Sequence, residues 1–119
     1  MFSEAERKYI RSQHLLRIGT ASPSGRPDVA PVAFDFDNEY FYVSGMRNKR
    51  TLKYKHTKKN PQASLVLDDL ASVKPWRPRG LKVFGEVDFV VRPGYAGEKE
   101  YLRIKPQRVH SWGLERNLA

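Results

Sequence analysis

Cysteine is absent from the 119-residue sequence. A disulfide framework, a thiolate zinc site and a cysteine nucleophile are therefore all excluded. A chain without cysteine is typical of a reducing compartment, and we expect a cytoplasmic protein. No apolar run approaches the roughly 20 residues of a membrane-spanning helix, so we expect no membrane partner. The polar N-terminal segment has a helical pattern and lacks the apolar core of a signal peptide.

Several motifs of well-known enzyme classes are also missing. The sequence has no GxGxxG or GxxxxGK[ST] loop and no GxSxG nucleophile elbow. The three histidines, His14, His56 and His110, are far apart, and none has a metal-ligating residue two to four positions further on. We therefore expect no metal site and assign no catalytic side chain. An enzyme built on this chain would take its chemistry from a cofactor.

Acidic residues are scarce: 13 Asp and Glu stand against 22 Lys and Arg, which gives a net charge of +9. Between Tyr40 and Leu67 there is no acidic residue but seven cationic ones, and we call this stretch the basic block. A second basic patch follows at Lys74, Arg77, Arg79 and Lys82. Such a concentration of charge attracts an anion, which leaves nucleic acid, membrane phosphate and a phosphorylated small molecule as candidates.

Two helices are predicted. Ser3 and Glu6 form a capping-box pattern that opens a helix running to about Gln13. A second helix, capped by Asn48 or Thr51, ends at Asn60 because Pro61 cannot continue it. The basic block therefore consists mostly of this second helix and the loop before it.

Strand-like segments fill the rest of the sequence. They cover residues 16–20, 32–36, 40–44, 64–67, 81–91, 101–105 and 109–112. A turn over 37–39 and a loop over 68–80 connect some of them, and Gly85 marks a bulge in the fifth strand. That strand places one set of apolar residues on one face: Leu81, Val83, Val87, Phe89 and Val91. We predict a single mainly β domain over residues 1–119, with six to seven antiparallel strands in a barrel or sandwich.

The start of the second helix suits a phosphate, because free backbone N–H groups and the helix dipole favour an anion there. The hydroxyls of Ser44 and Thr51 are candidate donors. Arg50 is a candidate for a bidentate contact, and Lys53 lies in the first helical turn. The two tryptophans are candidates to cover a flat ring.

Seven segments spread over nearly the whole chain carry a family resemblance: Gly19-Thr20-Ala21, Ser24-Gly25-Arg26-Pro27, Ala30-Pro31-Val32-Ala33-Phe34, Thr51-Leu52-Lys53-Tyr54, Asn60-Pro61 before the 63–67 strand, Pro75-Trp76-Arg77-Pro78-Arg79-Gly80 and Val109-His110-Ser111-Trp112-Gly113. In order and spacing they resemble the pyridoxamine 5′-phosphate oxidase-like superfamily. More narrowly, the chain is similar to its small members that use the deazaflavin coenzyme F420.

The resemblance implies an antiparallel split β-barrel of the FMN-binding type and a homodimer with two cofactor sites at the subunit interface. It implies that the segment from the third strand into the helix binds the cofactor phosphate and that the strand after Ala30 presents backbone groups to the ring. The segments that begin at Trp76 and Arg108 would approach from the partner subunit or line the substrate side. The cofactor-binding residues implied are Pro31, Val32, Ala33, Phe34, Ser44, Lys49, Arg50, Thr51, Lys53, Trp76, Arg79, Lys82, Arg108 and Trp112.

The same resemblance implies an oxidoreductase that transfers a hydride from C5 of the reduced deazaflavin to an electron-poor small molecule. The basic surplus favours F420 over FMN, because F420 carries a tail of additional carboxylates. Vitamin B6 oxidases have a longer C-terminal region, so we do not expect that activity. The candidate donors of the product proton are solvent, Lys82 and His110, with the further alternative that the sequence contains no identifiable donor.

Three other functions stay open. The chain could be an FMN-binding flavoprotein of the same family, or a non-enzymatic carrier or sensor of either cofactor. It could also bind single-stranded nucleic acid through the aromatic run Tyr40–Tyr42. The concentration of charge at one helix start, rather than along a groove, argues against nucleic acid.

Overall fold

The computed structural model describes residues 1–44 and 48–114. Within these ranges seven strands form one antiparallel sheet in the order β2-β1-β5-β6-β7-β4-β3, which confirms the mainly β split-barrel prediction. The elements are α1 (Glu4–Ser12), β1 (Leu15–Ala21), β2 (Pro27–Ala33), β3 (Asp35–Phe36), β4 (Phe41–Val43), a 3₁₀ turn (Asn48–Arg50), α2 (Leu52–Lys59), β5 (Gln62–Ser72), β6 (Arg77–Arg92) and β7 (Lys99–Trp112).

The hydrophobic core lies on the concave face of the curled sheet. Alternate residues of the central strands are almost completely buried there, among them Leu16, Leu65, Leu81 and Ile104. Helix α1 adds Ile10 to this core, because an amphipathic helix buries its apolar stripe where a sheet leaves one face open.

The capping box of α1 is confirmed. The Glu6 amide donates to Ser3 Oγ at 3.1 Å, and the Ser3 amide donates to Glu6 Oε1 at 2.8 Å. The helix ends at Ser12, with Gln13 as its C-cap, so its predicted end is correct to within a residue.

The predicted bulge is confirmed, although the extra residue lies on the partner strand. Phe84 pairs with Arg108 and Gly85 with Pro106, which leaves Gln107 of β7 unopposed. A Cβ at position 85 would lie 2.8 Å from the Lys105 carbonyl oxygen. Glycine is required here because the two backbones approach too closely for a side chain.

Several predicted boundaries are wrong. The second predicted strand is two strands, β2 and β3, and residues 101–112 form one continuous strand. The loop predicted over 68–80 is mostly strand, since β5 continues to Ser72 and β6 begins at Arg77. These strand ends carry polar residues and therefore lack the apolar alternation that indicates a strand. Asp68, for example, pairs with Gly80 across the sheet.

Val91 alternates with Val87 and Phe89 along β6, as predicted, but it is 71% exposed and lies outside the core. It pairs with Glu100 of β7, whereas β4 covers β7 only over Leu102 to Ile104. This end of the β6–β7 hairpin therefore extends past the strands that close the core.

Of the two predicted caps of α2, Thr51 is the right one. Its Oγ1 accepts a hydrogen bond from the Tyr54 amide at 3.4 Å, while Asn48 begins the preceding 3₁₀ turn. The helix stops before Pro61, and Asn60 Nδ2 donates to the Ala21 carbonyl of β1 at 3.2 Å. Helix α2 is thereby anchored beside the outer end of β1.

Candidate functional site

A groove of about 880 Å³ crosses the outer, convex face of β2, β1, β5 and β6. Its floor is shallow because Gly19 and Ser64 face each other across β1 and β5: a Cβ at position 19 would lie 3.0 Å from Ser64 Oγ. Its walls carry exposed apolar side chains, Val29 and Phe84, together with Lys82. The groove can therefore accept a flat, largely apolar group with polar substituents.

A buried polar cluster lies between α2 and β1, next to one end of this groove. His56 Nδ1 and Thr20 Oγ1 are 2.9 Å apart, and Thr57 Oγ1 donates to the Lys53 carbonyl at 2.6 Å. All four residues are buried. Thr20 also lines the groove, so the cluster joins the groove to the helix.

Lys53 is the unusual member of this cluster because its side chain is a cation. Lys53 is only 6% exposed, and no carboxylate of the described residues, 1–44 and 48–114, forms an ion pair with it. Burial lowers the pKa of Lys53, and the more distant Asp28 offsets this lowering only in part. Since partial desolvation of a cation without a close counterion is costly, this site is suited to receive an anion.

The other basic residues predicted at the helix start lie around a second hollow. Lys49 and Arg50 are exposed and share it with Asn48, Lys99 and Glu100. The structure thus brings two of the predicted cations, Lys49 and Arg50, to one side of the helix start. Lys53 faces β1 on the other side.

The two predicted hydroxyl donors already have partners. Ser44 is 2% exposed and its Oγ donates to the Glu100 carbonyl at 3.3 Å. Thr51 Oγ1 donates to the Asn48 carbonyl at 2.7 Å. A hydroxyl has one proton to donate, so a phosphate contact would have to replace these bonds.

The predicted ring-binding strand, Pro31 to Phe34, divides between the two faces of the sheet. Val32 is buried in the core, and Phe34 packs against Phe41 with ring centroids 5.9 Å apart. Pro31 lies in β2, which is the last strand at one end of the sheet. As an edge strand, β2 has backbone groups available to a ligand.

Three residues of the predicted segments that begin at Trp76 and Arg108 come together on the outer face: Lys82, Arg108 and His110. Lys82 pairs directly with His110 across β6 and β7. The three side chains line a hollow with Phe84, and the charged groups of Lys82 and Arg108 lie 5.7 and 5.8 Å from its ring centroid.

The two tryptophans are in different surroundings. Trp76 is 67% exposed at the tip of the β5–β6 hairpin. The Trp112 ring packs on the backbone of Gly80, where a Cβ would lie 2.8 Å from Cζ2. Trp76 is therefore the one available to a ligand or a partner chain, whereas Trp112 supports the local packing of the sheet.

Arg79, another predicted cofactor ligand, holds α1 against the β5–β6 hairpin. Its guanidinium makes two hydrogen bonds to Asp69, at 2.7 and 3.0 Å, and Tyr9 donates to the same carboxylate at 2.9 Å. The hydrogen bonds from Arg79 are the main reason that the pKa of Asp69 lies below its ordinary value. This network ties the N-terminal helix to the sheet.

Sequence reasoning missed two residues next to the helix start, Tyr95 and Glu100. The Tyr95 hydroxyl donates to the Ser44 carbonyl and accepts from the Ser44 amide, at 2.5 and 2.6 Å. Both residues lie in or beside the β6–β7 turn, about 50 positions away from Ser44 in sequence. Only the sheet topology brings them together, so no local pattern could have revealed them.

Residues 1–44 and 48–114 carry neither a metal-binding cluster nor a membrane-spanning helix. No three His, Asp or Glu side chains of these ranges are grouped so that they could hold a metal ion. No helix in the same ranges has the length and apolar character needed to cross a membrane.

The family model described as pyridoxamine 5′-phosphate oxidase matches residues 2–113. The chain belongs to this family. A curated relative, the 5a,11a-dehydrotetracycline/5a,11a-dehydrooxytetracycline reductase of Streptomyces rimosus, is 28% identical over 124 residues, which cover 99% of this chain and 87% of the relative.

Two solved structures share the fold of this chain. The FAD binding protein from Mycobacterium smegmatis superposes with a TM-score of 0.73 at 15% identity, covering 93% of each chain. An F420 reductase superposes with a TM-score of 0.63 at 20% identity, covering 81% of this chain and 88% of that one. At these identities the likeness establishes the split barrel and nothing about the ligand.

The Asp69 network predicts a specific dependence of stability on pH. Because Arg79 lowers the pKa of Asp69 from 3.8, its contribution to stability is present above that value and is lost as the pH falls through the lowered pKa. We expect Asp69→Asn to reduce the free energy of unfolding at neutral pH and to make it less sensitive to acid, as measured by urea unfolding at about pH 7, 5 and 3.

Asp68→Asn is the matched control for this measurement, since Asp68 is exposed and lies 3.4 Å from Arg17. An exposed pair of this kind contributes about 0–1 kcal/mol, so the control should keep the acid sensitivity of the wild type. Equal acid sensitivity in Asp69→Asn and the wild type would contradict the claim that the Asp69 network makes stability depend on pH.

Proposed function

We propose that the protein is an oxidoreductase that uses coenzyme F420 to reduce an electron-poor small molecule. The observation that carries this proposal is the largely buried side chain of Lys53 at the start of α2, whose partly desolvated charge has no ion-pair partner among the described residues. A cofactor phosphate would supply the missing negative charge. The reductase relative, which matches 99% of the chain, supports the choice of redox chemistry.

The remaining basic residues favour a cofactor with more charge than a single phosphate. Lys49 and Arg50 are exposed beside the helix start, where they would meet the carboxylates of the F420 tail. The groove with Gly19 and Ser64 at its floor would take the flat ring, alongside the open edge of β2. The chemistry that F420 supplies when bound is hydride donation to the acceptor.

The protein's own part in the reaction is binding, orientation and exclusion of water. Phe84 and Val29 would shield the ring from solvent, while Lys82 and His110 stand on the same outer face. These two residues, or solvent, would provide the product proton. FMN is the second candidate cofactor, since its phosphate also fits Lys53 and an FAD binding protein shares the fold.

The proposal includes a homodimer. The groove is open to solvent on the isolated chain, and its wall includes Phe84, which is 44% exposed, and the more exposed Val29. A contiguous apolar surface on a sheet face is typical of an interface. A second copy against this face would enclose the ring site, and the exposed Trp76 is available to reach across to it.

Lys53→Ala is expected to weaken F420 binding by about ten- to a hundredfold, since hydrogen bonds to charged groups contribute about 1.5–3 kcal/mol. Fluorescence titration of the wild type and the variant measures this loss. Lys55→Ala, which removes an exposed lysine of the same helix, is the matched control and should bind nearly as the wild type does. Wild-type affinity in Lys53→Ala would show that the phosphate site is wrong.

Phe84→Glu is expected to convert the dimer into a monomer, because it places a charge in the proposed apolar interface. Light scattering after size-exclusion chromatography measures the change. Val91→Glu, at an exposed position of the same strand outside the groove, is the control and should stay dimeric. A wild type that is monomeric at micromolar concentration, or a Phe84→Glu variant that is still dimeric, would contradict the interface.

A further inference from the structure

We propose that Glu100 is a positioning residue of the cofactor site, which holds the 3₁₀ turn at Asn48–Arg50 and helix α2 so that their cations meet the acidic tail and the phosphate of the cofactor. This inference rests on the proposed function, because it names the residue that shapes the same site. Glu100 lies at the start of β7, at the β6–β7 turn, and it contacts Ser44, Asn48 and helix α2.

The main chain of Glu100 holds the approach to the helix. Its carbonyl accepts one hydrogen bond from Ser44 Oγ at 3.3 Å and another from Asn48 Nδ2 at 3.0 Å. Asn48 is 6% exposed and begins the 3₁₀ turn that carries Lys49 and Arg50. The position of these two cations therefore depends on the β7 backbone.

The side chain of Glu100 holds the helix. Its Oε1 accepts from the Tyr54 hydroxyl at 2.6 Å, and its Oε2 lies 3.8 Å from the ammonium of Lys58. The Lys58 ammonium also lies 3.9 Å from the centroid of Phe89, against which the Tyr54 ring packs edge-on. Because Tyr54 directly follows Lys53, this anchor fixes the rotation of the helical turn that carries the buried cation.

The sign of the charge makes the proposal testable. A carboxylate next to a phosphate repels it, so removal of Glu100 would strengthen binding of an anion if charge alone mattered. Removal of an anchor would weaken binding, because the cations would no longer be held in place before the ligand arrives. The two explanations predict changes in opposite directions.

The test compares F420 with its deazaflavin nucleoside, which lacks the phosphate and the acidic tail. Glu100→Ala should weaken F420 binding about tenfold or more and leave binding of the nucleoside unchanged, because only F420 uses the positioned cations. Glu100→Gln, which keeps an acceptor for Tyr54, should retain most of the F420 affinity. Glu98→Ala removes the same charge from the same turn and is the matched control, with wild-type or slightly tighter binding.

A double-mutant cycle with Tyr54→Phe tests the contact itself. The losses of F420 affinity caused by Tyr54→Phe and Glu100→Ala should be less than additive, because both remove the same hydrogen bond. Unchanged or tighter F420 binding in Glu100→Ala would overturn the positioning role, as would an equal loss for the nucleoside. A wild type that binds neither ligand would overturn the proposed function, and the cofactor role of Glu100 with it.

Discussion

The side chain of Lys53, largely buried between α2 and β1, is the constraint on which the candidate site depends. The fold partly desolvates this charge without placing a carboxylate at ion-pair distance among the described residues, and Asp28 compensates for it only at longer range. A folded protein tolerates such a group when something else stabilises the charge. A phosphate at the start of α2 would do so, since the helix dipole and the backbone amides favour an anion at the same place.

The geometry around Lys53 follows from two anchors on opposite sides of α2. Towards β1, the pair formed by His56 and Thr20 and the bond from Asn60 to Ala21 hold the helix on the sheet. Towards the β6–β7 turn, Glu100 holds Tyr54. The helix is short, and a short helix is stabilised by tertiary contacts more than by its own propensity. A site on its first turn is therefore only as well defined as these contacts.

Much of the fold could be predicted from the sequence, because its signals are local. The capping box at Ser3, the stop at Pro61 and the bulge at Gly85 each reflect the conformational limits of one or two residues. The long β5 and β6 strands were harder to delimit, since the ends that meet at their hairpin carry polar residues that pair across the sheet, and β7 was predicted as two strands. Asp69 lies in the segment predicted as a loop, although in the structure it belongs to β5 and binds Arg79 and Tyr9.

The candidate site was predictable only where charge or motif marked it. The basic block pointed to the start of α2, and the family resemblance pointed to the same segment. The contacts that shape this segment come from Tyr95 and Glu100, which reach it through the long β6–β7 hairpin. Burial of Lys53 depends on the packing of α2 against β1, so it could not be derived from a sequence in which Lys53 is one of seven cations in the basic block.

The most direct test of the central claim is a side-by-side titration of the wild-type protein with F420 and FMN, at equal ionic strength and with fluorescence as the readout. If the buried Lys53 and the exposed cations beside it serve a tailed deazaflavin, F420 should bind at least about tenfold more tightly than FMN, because its additional carboxylates meet additional positive charge. Equal or tighter binding of FMN, or no binding of F420, would contradict the claim.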